Sequence, residues 1–110
     1  MLQKLGRLDD ARAAQVRALV IKKTIYGRDH YEVAATLTNL GIVLNRLGRL
    51  DEARGAEERA LRIFDRTLPA NHPHIAQACG NLAATLEALG EGKRAAELQA
   101  RAAAIRAAGR

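Results

Sequence analysis

Apolar residues recur along this chain at helical intervals. Val33, Leu37, Leu40, Leu44 and Leu47 step by 4, 3, 4 and 3, and Ile75, Cys79, Leu82, Leu86 and Leu89 take the same steps 42 positions later. Each set lays one apolar stripe along a helix of about 16 residues. A second pattern follows each stripe: Leu50, Ala53, Ala56, Ala60, Leu61, Ile63 and Phe64 in one copy, then Ala95, Leu98, Ala102 and Ile105 in the next. An earlier copy, over 8–25, holds Leu8, Ala11, Ala14, Ala18 and Ile21. Small alanines on these second helices let a partner helix approach closely. Gly48 and Gly90 stand between the two patterns and are predicted to end the first helices, because Gly takes the left-handed conformation at little cost. A connection that short forces the two helices antiparallel. Loops at 26–30 and 68–72 then join one pair to the next, and Pro73 suits the first turn of the helix it opens, where its missing N–H is not needed.

The pairs are copies of one another. Leu-Gly-Arg-Leu-Asp-Asp-Ala at Leu5–Ala11 returns as Leu-Gly-Arg-Leu-Asp-Glu-Ala at Leu47–Ala53, and in worn form at Leu89–Ala95. In the same register Arg17-Ala18-Leu19 meets Arg59-Ala60-Leu61, Asp29-His30 meets Asn71-His72, and Asn39-Leu40 meets Asn81-Leu82. The unit is a helix hairpin of 42 residues, and such hairpins stacked in series form an α-solenoid. The expected architecture is one all-α domain of about two and a half repeats. Residues 1–30 are a partial repeat, 31–72 a full one and 73–110 the last. By analogy with Gly48, Gly6 reads as a turn, so the first repeat lacks most of its first helix. Its second helix should then expose Leu8, Ala11, Ala14, Ala18, Leu19 and Ile21. Either the chain is a piece of a longer repeat protein, or this face is covered by self-association.

Composition narrows the function. The chain has 110 residues, three of them aromatic (Tyr26, Tyr31 and Phe64), and one cysteine, Cys79. No apolar run approaches the roughly 18 residues that span a bilayer, and the opening residues lack the apolar segment of a signal peptide. A lone cysteine forms no intrachain disulfide, and a cytoplasmic setting fits. Formal net charge is +6, with fourteen Arg among eighteen basic residues, which favours acidic partners. These charges are scattered among acids, and with so few aromatics a nucleic-acid surface is the weaker reading. No nucleophile–base set or phosphate loop is visible. His72 and His74 lack a third metal ligand. His30 matches His72 in the repeat, so both read as loop or capping residues, and Cys79 replaces Leu37 in the stripe as a small buried hydrophobe. No metal, cofactor or catalysis is expected.

Four segments together resemble the tetratricopeptide repeat in its 42-residue, kinesin light chain-like form: Asn-Leu-Gly at Asn39–Gly41, Leu-Gly-Arg-Leu-Asp-Glu-Ala at Leu47–Ala53, Arg-Ala-Leu at Arg59–Leu61 and Asn-His-Pro at Asn71–Pro73. The resemblance covers essentially the whole chain. It implies a right-handed solenoid and a non-catalytic scaffold that binds a peptide or helix in a concave groove lined by the first helices. Helical geometry points to that face independently. Opposite the core stripe lie Ala35, Thr38, Ile42, Asn45 and Arg46 on one helix, and Gln77, Gly80, Ala84, Glu87 and Ala88 on the other, with Asn39 and Asn81 on the flank. In related repeats an Asn at that place reaches bound peptide backbone; it can equally brace helix packing. Gly80, Ala84 and Ala88 leave a shallow trough beside Ile42, and Arg46 can pair with an acidic group or stay solvated. The chain departs from the family pattern at Gln15, Glu57 and Gln99, where a large apolar residue often stands. It departs again at Leu44 and Leu86, in an often aromatic place, and at Tyr31, which matches Pro73.

Overall fold

The computed structural model describes residues 2–109, with side chains from residue 6 onward. It contains five α-helices: α1 (Leu2–Tyr26), α2 (Tyr31–Arg46), α3 (Leu50–Thr67), α4 (Pro73–Ala88) and α5 (Gly92–Ala108). They form two layers in a slab 22 Å thick, about the depth of two packed helices. The inner layer is α2 and α4, and the outer layer is α1, α3 and α5. Each inner helix packs against the outer helices on either side of it in sequence. The architecture is the expected all-α solenoid of antiparallel hairpins.

The turns follow from local chemistry. Gly48 and Gly90 adopt φ of +78° and +83°, a conformation costly for residues with a Cβ. The same closing bond recurs after each: Arg49 N–H donates to Leu44 O at 2.9 Å, and Glu91 N–H to Leu86 O at 2.8 Å. His30 and His72 are the N-caps of α2 and α4. Each Nδ1 accepts a 3.0 Å hydrogen bond from the backbone two residues on, satisfying a donor that the first helical turn leaves open. Both histidines are therefore capping residues.

The core is built from the predicted stripes. Val33, Leu37, Ile75, Cys79, Leu82 and Leu86 of the inner layer meet Ala60, Ile63, Phe64, Ala95, Ala102 and Ile105 of the outer layer. Cys79 is fully buried, and burial pushes its thiol pKa up. On the outer surface, ion pairs cross from α3 to α5 at equal spacing: Glu58–Arg94 at 3.1 Å and Asp65–Arg101. Exposed pairs of this kind add little stability, and the outer helices are held by their packing on the inner layer.

The first heptad departs from expectation. Leu5–Ala11 does not turn at Gly6; α1 runs through it, and Gly6 has no positive φ. Met1, and the side chain of Leu5 that opens this heptad, lie outside the described residues. Gly48 turns because α2 must fold back onto α3, whereas among the described residues no packed helix precedes α1. Helical hydrogen bonds then prevail over the intrinsic penalty of Gly, about 1 kcal/mol. The exposed face of α1 is also shifted. Leu8 and Leu19 are half-buried, with Leu19 packed against the core. Ala11 and Ala18 are half-buried too, and Ala14 and Ile21 are exposed. The large apolar side chains that face solvent are Val16, Val20, Ile21, Ile25 and Tyr26, with Ile25 66% and Val20 61% exposed.

Identical heptad positions should therefore answer the same substitution with opposite signs. Gly6→Ala is expected to stabilise by up to about 1 kcal/mol through helix propensity. Gly48→Ala is expected to destabilise by about 1–2 kcal/mol through left-handed strain. Urea denaturation of the two variants checks both.

Candidate functional site

The groove runs between α2 and α4 and is open on the face away from α3. Thr38 and Asn39 of α2 face Gln77 of α4 at one end, while Asn45 and Arg46 face Asn81 and Ala84 at the other. Two cavities lie along it. One, of about 150 Å³, is walled by Tyr31, Phe64 and His74 and rimmed by Ala35, Thr38, Asn39 and Gln77. Its aromatic rings pack closely, with His74 stacked on Phe64 and edge-on to Tyr31. The other, of about 170 Å³, is lined by Ile42, Asn45, Arg46, Glu57, Asn81 and Ala84.

Most of the residues predicted for the groove line one cavity or the other: Ala35, Thr38, Asn39, Ile42, Asn45, Arg46, Gln77, Asn81 and Ala84. Gly80, half-buried, and Glu87, exposed, lie on α4 outside both. The side chains differ in availability. Thr38 returns its hydroxyl to Ala34 O of its own helix at 2.9 Å. Asn45 Nδ2 donates to Thr85 Oγ1 at 2.8 Å, so this amide braces α2 against α4. Asn81 Nδ2 is buried without a hydrogen-bond partner. Asn39 and Arg46 are exposed.

Glu57 is the residue that pattern reasoning passed over. It reaches from α3 to the bottom of the second cavity and is only 3% exposed. The Thr85 hydroxyl donates to its Oε1 at 2.6 Å, completing a chain from Asn45 through Thr85 to Glu57. Burial pushes its carboxyl pKa up to about 7, against the opposing effect of the Thr85 hydrogen bond. Gly41 makes this possible, since a Cβ there would lie 2.5 Å from Glu57 Cγ. The available signal was an acid at a position of α3 that the family usually fills with a large apolar side chain. Tyr31, Phe64 and His74 were missed as cavity walls because they lie outside the stripe opposite the core.

Net charge is distributed unevenly. Inner helices α2 and α4 carry one Arg against two Glu, whereas α1 carries six basic residues against two acidic and α5 four against one. The excess positive charge lies on the outer layer. No group of His, Cys, Asp and Glu suited to a metal ion is present among the described residues, and none of their helices is long and apolar enough to cross a membrane.

Stacked antiparallel hairpins whose inner helices line an open groove define a helical-repeat fold. A tetratricopeptide repeat model matches residues 1–66 and a second one residues 75–108; the chain belongs to the tetratricopeptide repeat family. Among solved structures it is similar to BtubC (BKLC) from P. vanneervenii, at 28% identity and a TM-score of 0.88, covering 96% of this chain and 42% of that one. It is similar also to the nearly identical TPR-like repeats of a kinesin light chain from Podosopora anserina, at 25% identity and a TM-score of 0.87, covering 96% and 50%. The chain thus spans about half the length of these structures. No curated protein matches it. Repeats of this family generally mediate protein–protein interaction.

The buried carboxyl makes a pH-dependent contribution of defined sign. With its folded pKa raised from 4.5 to about 7, Glu57 holds a proton in the folded state that the unfolded chain releases. Its contribution to stability therefore declines as pH rises through that window and is level above it. Relative to the parent, Glu57→Gln should be more favourable at pH 8 than at pH 5 by on the order of 1 kcal/mol. Urea denaturation of both proteins at the two pH values checks the difference.

Proposed function

We propose that this chain is a non-catalytic cytoplasmic scaffold that binds a peptide or helix of a partner protein in the groove between α2 and α4. The observation that carries this reading is the groove itself: two adjoining cavities whose polar groups include an unpartnered Asn81 amide and an exposed Arg46. A surface that leaves a buried donor unpaired is costly unless a ligand or water completes it. Arg46 has no acidic partner among the described residues, which supports contact with an acidic group of the bound segment through a bidentate pair. The double variant Asn39→Ala with Arg46→Glu should weaken peptides selected from a random library by about tenfold or more, measured by fluorescence anisotropy. Unchanged affinity would place binding elsewhere.

A second reading is favoured by α1, whose Val20, Ile21 and Ile25 are more than half exposed. In the repeat register Ile21 corresponds to Ile63, which α3 buries, whereas Val20 and Ile25 correspond to the exposed Arg62 and Thr67. We propose that this face self-associates, whether in the chain alone or as a spacer within a larger repeat array. Ile21→Glu with Ile25→Glu should yield a monomer in sedimentation velocity across a dilution series, with the fold retained. Leu19→Glu should instead destabilise the fold by about 2 kcal/mol or more, because Leu19 packs on the core and a buried unpaired charge is expensive. A parent chain that is monomeric throughout the series would refute self-association. A basic nucleic-acid surface is the weakest reading, although the outer layer carries the charge it would need.

A further inference from the structure

We infer that the cavity above Glu57 is a subsite for a primary carboxamide, the side chain of an Asn or Gln in the bound partner. The inference rests on the groove being the binding face. It starts from the hydrogen-bonding groups that the fold leaves open there. Asn45 Nδ2 is committed to Thr85, and the Thr85 hydroxyl to Glu57 Oε1. Glu57 keeps its second carboxyl oxygen for a further donor. Across the cavity, Asn81 Nδ2 has no partner and needs an acceptor. Arg46, on the facing wall formed by α2, adds a second donor. The occupant must therefore accept and donate at once.

Charge and shape narrow the choice. Inside the cavity a carboxylate would be pressed against Glu57, and an ammonium or guanidinium group against Arg46; the acidic group proposed to pair with Arg46 sits at its exposed rim, outside this subsite. An aliphatic side chain would leave Glu57 and Asn81 unpaired, the arrangement by which polar sites reject apolar isosteres most strongly. A backbone amide has both groups, but in a trans peptide its N–H and C=O point in opposite directions, so one cavity cannot engage both. A Ser hydroxyl has both capacities on one atom but fills little of about 170 Å³. A primary carboxamide presents C=O and NH₂ from one end of a flexible stem: its oxygen accepts from Asn81 or Arg46, and its nitrogen donates to Glu57. It is neutral, as the cavity is when Arg46 faces an ionised Glu57.

The test is a phage-displayed library of random peptides selected on the full chain at pH 8, where Glu57 is ionised. Enriched peptides should share an Asn or Gln at one position. In the synthetic peptide, replacing that residue by Met, Glu, Lys or Ser should weaken binding about tenfold or more. Glu57→Gln, confirmed folded by circular dichroism, should weaken the parent peptide by a similar factor and abolish its preference for Gln over Met, because a second amide nitrogen would then meet the ligand's own. Enrichment of Lys, Arg, Asp or Glu at that position, or a Met peptide that binds equally well, overturns the subsite. It leaves groove binding standing if the same peptides are weakened by Asn39→Ala with Arg46→Glu. A library that returns no peptide sensitive to that double variant overturns both.

Discussion

Helix α3 lies so close to α2 that Gly41 has no room for a methyl group, and the rest of the molecule is arranged around that approach. Ala53 and Ala60, at 0% and 1% exposure, let the helix axes draw together, and the space above Gly41 is taken by the stem of Glu57. An acid is thereby carried from the outer layer to the floor of the groove. Once there it needs a donor, which Thr85 of α4 supplies, and Thr85 is in turn held by Asn45 of α2. One close contact between two helices thus ties three of them together through a polar chain. Buried polar chains of this kind favour one packing arrangement when every member is satisfied. Here the chain stops at Glu57, in the cavity that the unpartnered Asn81 amide also lines, where the groove opens.

The arrangement occurs once although the sequence repeats. Forty-two residues on, Gly41 becomes Ala83 and Glu57 becomes Gln99, and Gln99 is exposed on α5. No inner helix follows α5 among the described residues, so the equivalent position has nothing to be buried against. The corresponding Gln15 of α1 is half-buried. A polar residue in the pattern becomes a floor residue only where an inner helix lies on both sides of it.

The fold was largely legible in the sequence because helical periodicity and repeat register report the same thing twice. The stripes at Val33–Leu47 and Ile75–Leu89, the turns at Gly48 and Gly90, and the histidine caps all depend on interactions within a few residues. What was not legible depended on partners far along the chain. Gly6 and Gly48 sit in almost the same heptapeptide, yet only Gly48 turns, because there α2 folds back onto α3, and among the described residues no such helix is packed ahead of α1. Leu19 looked like an exposed residue of an unpaired helix but is held by α2. The side of each inner helix opposite its stripe follows from the helical period alone, and most of its residues line the two cavities. Glu57 was not, since its importance comes from α4, many residues away.

Charge shows the same limit in another form. A net charge of +6 invites the expectation of an acidic partner wherever binding occurs. In the fold, the basic excess belongs to α1 and α5, on the layer that faces away from the groove, while the groove helices are close to neutral with a slight acidic excess. Exposed charges farther apart than about 8–10 Å are largely screened at physiological ionic strength, so the outer layer steers encounters but contributes little to what the groove selects. Selection there depends on individual groups: one Arg at the wall, one acid at the floor and one amide without a partner. The total charge therefore describes how a partner approaches, and the unpaired hydrogen-bonding groups describe what it must bring.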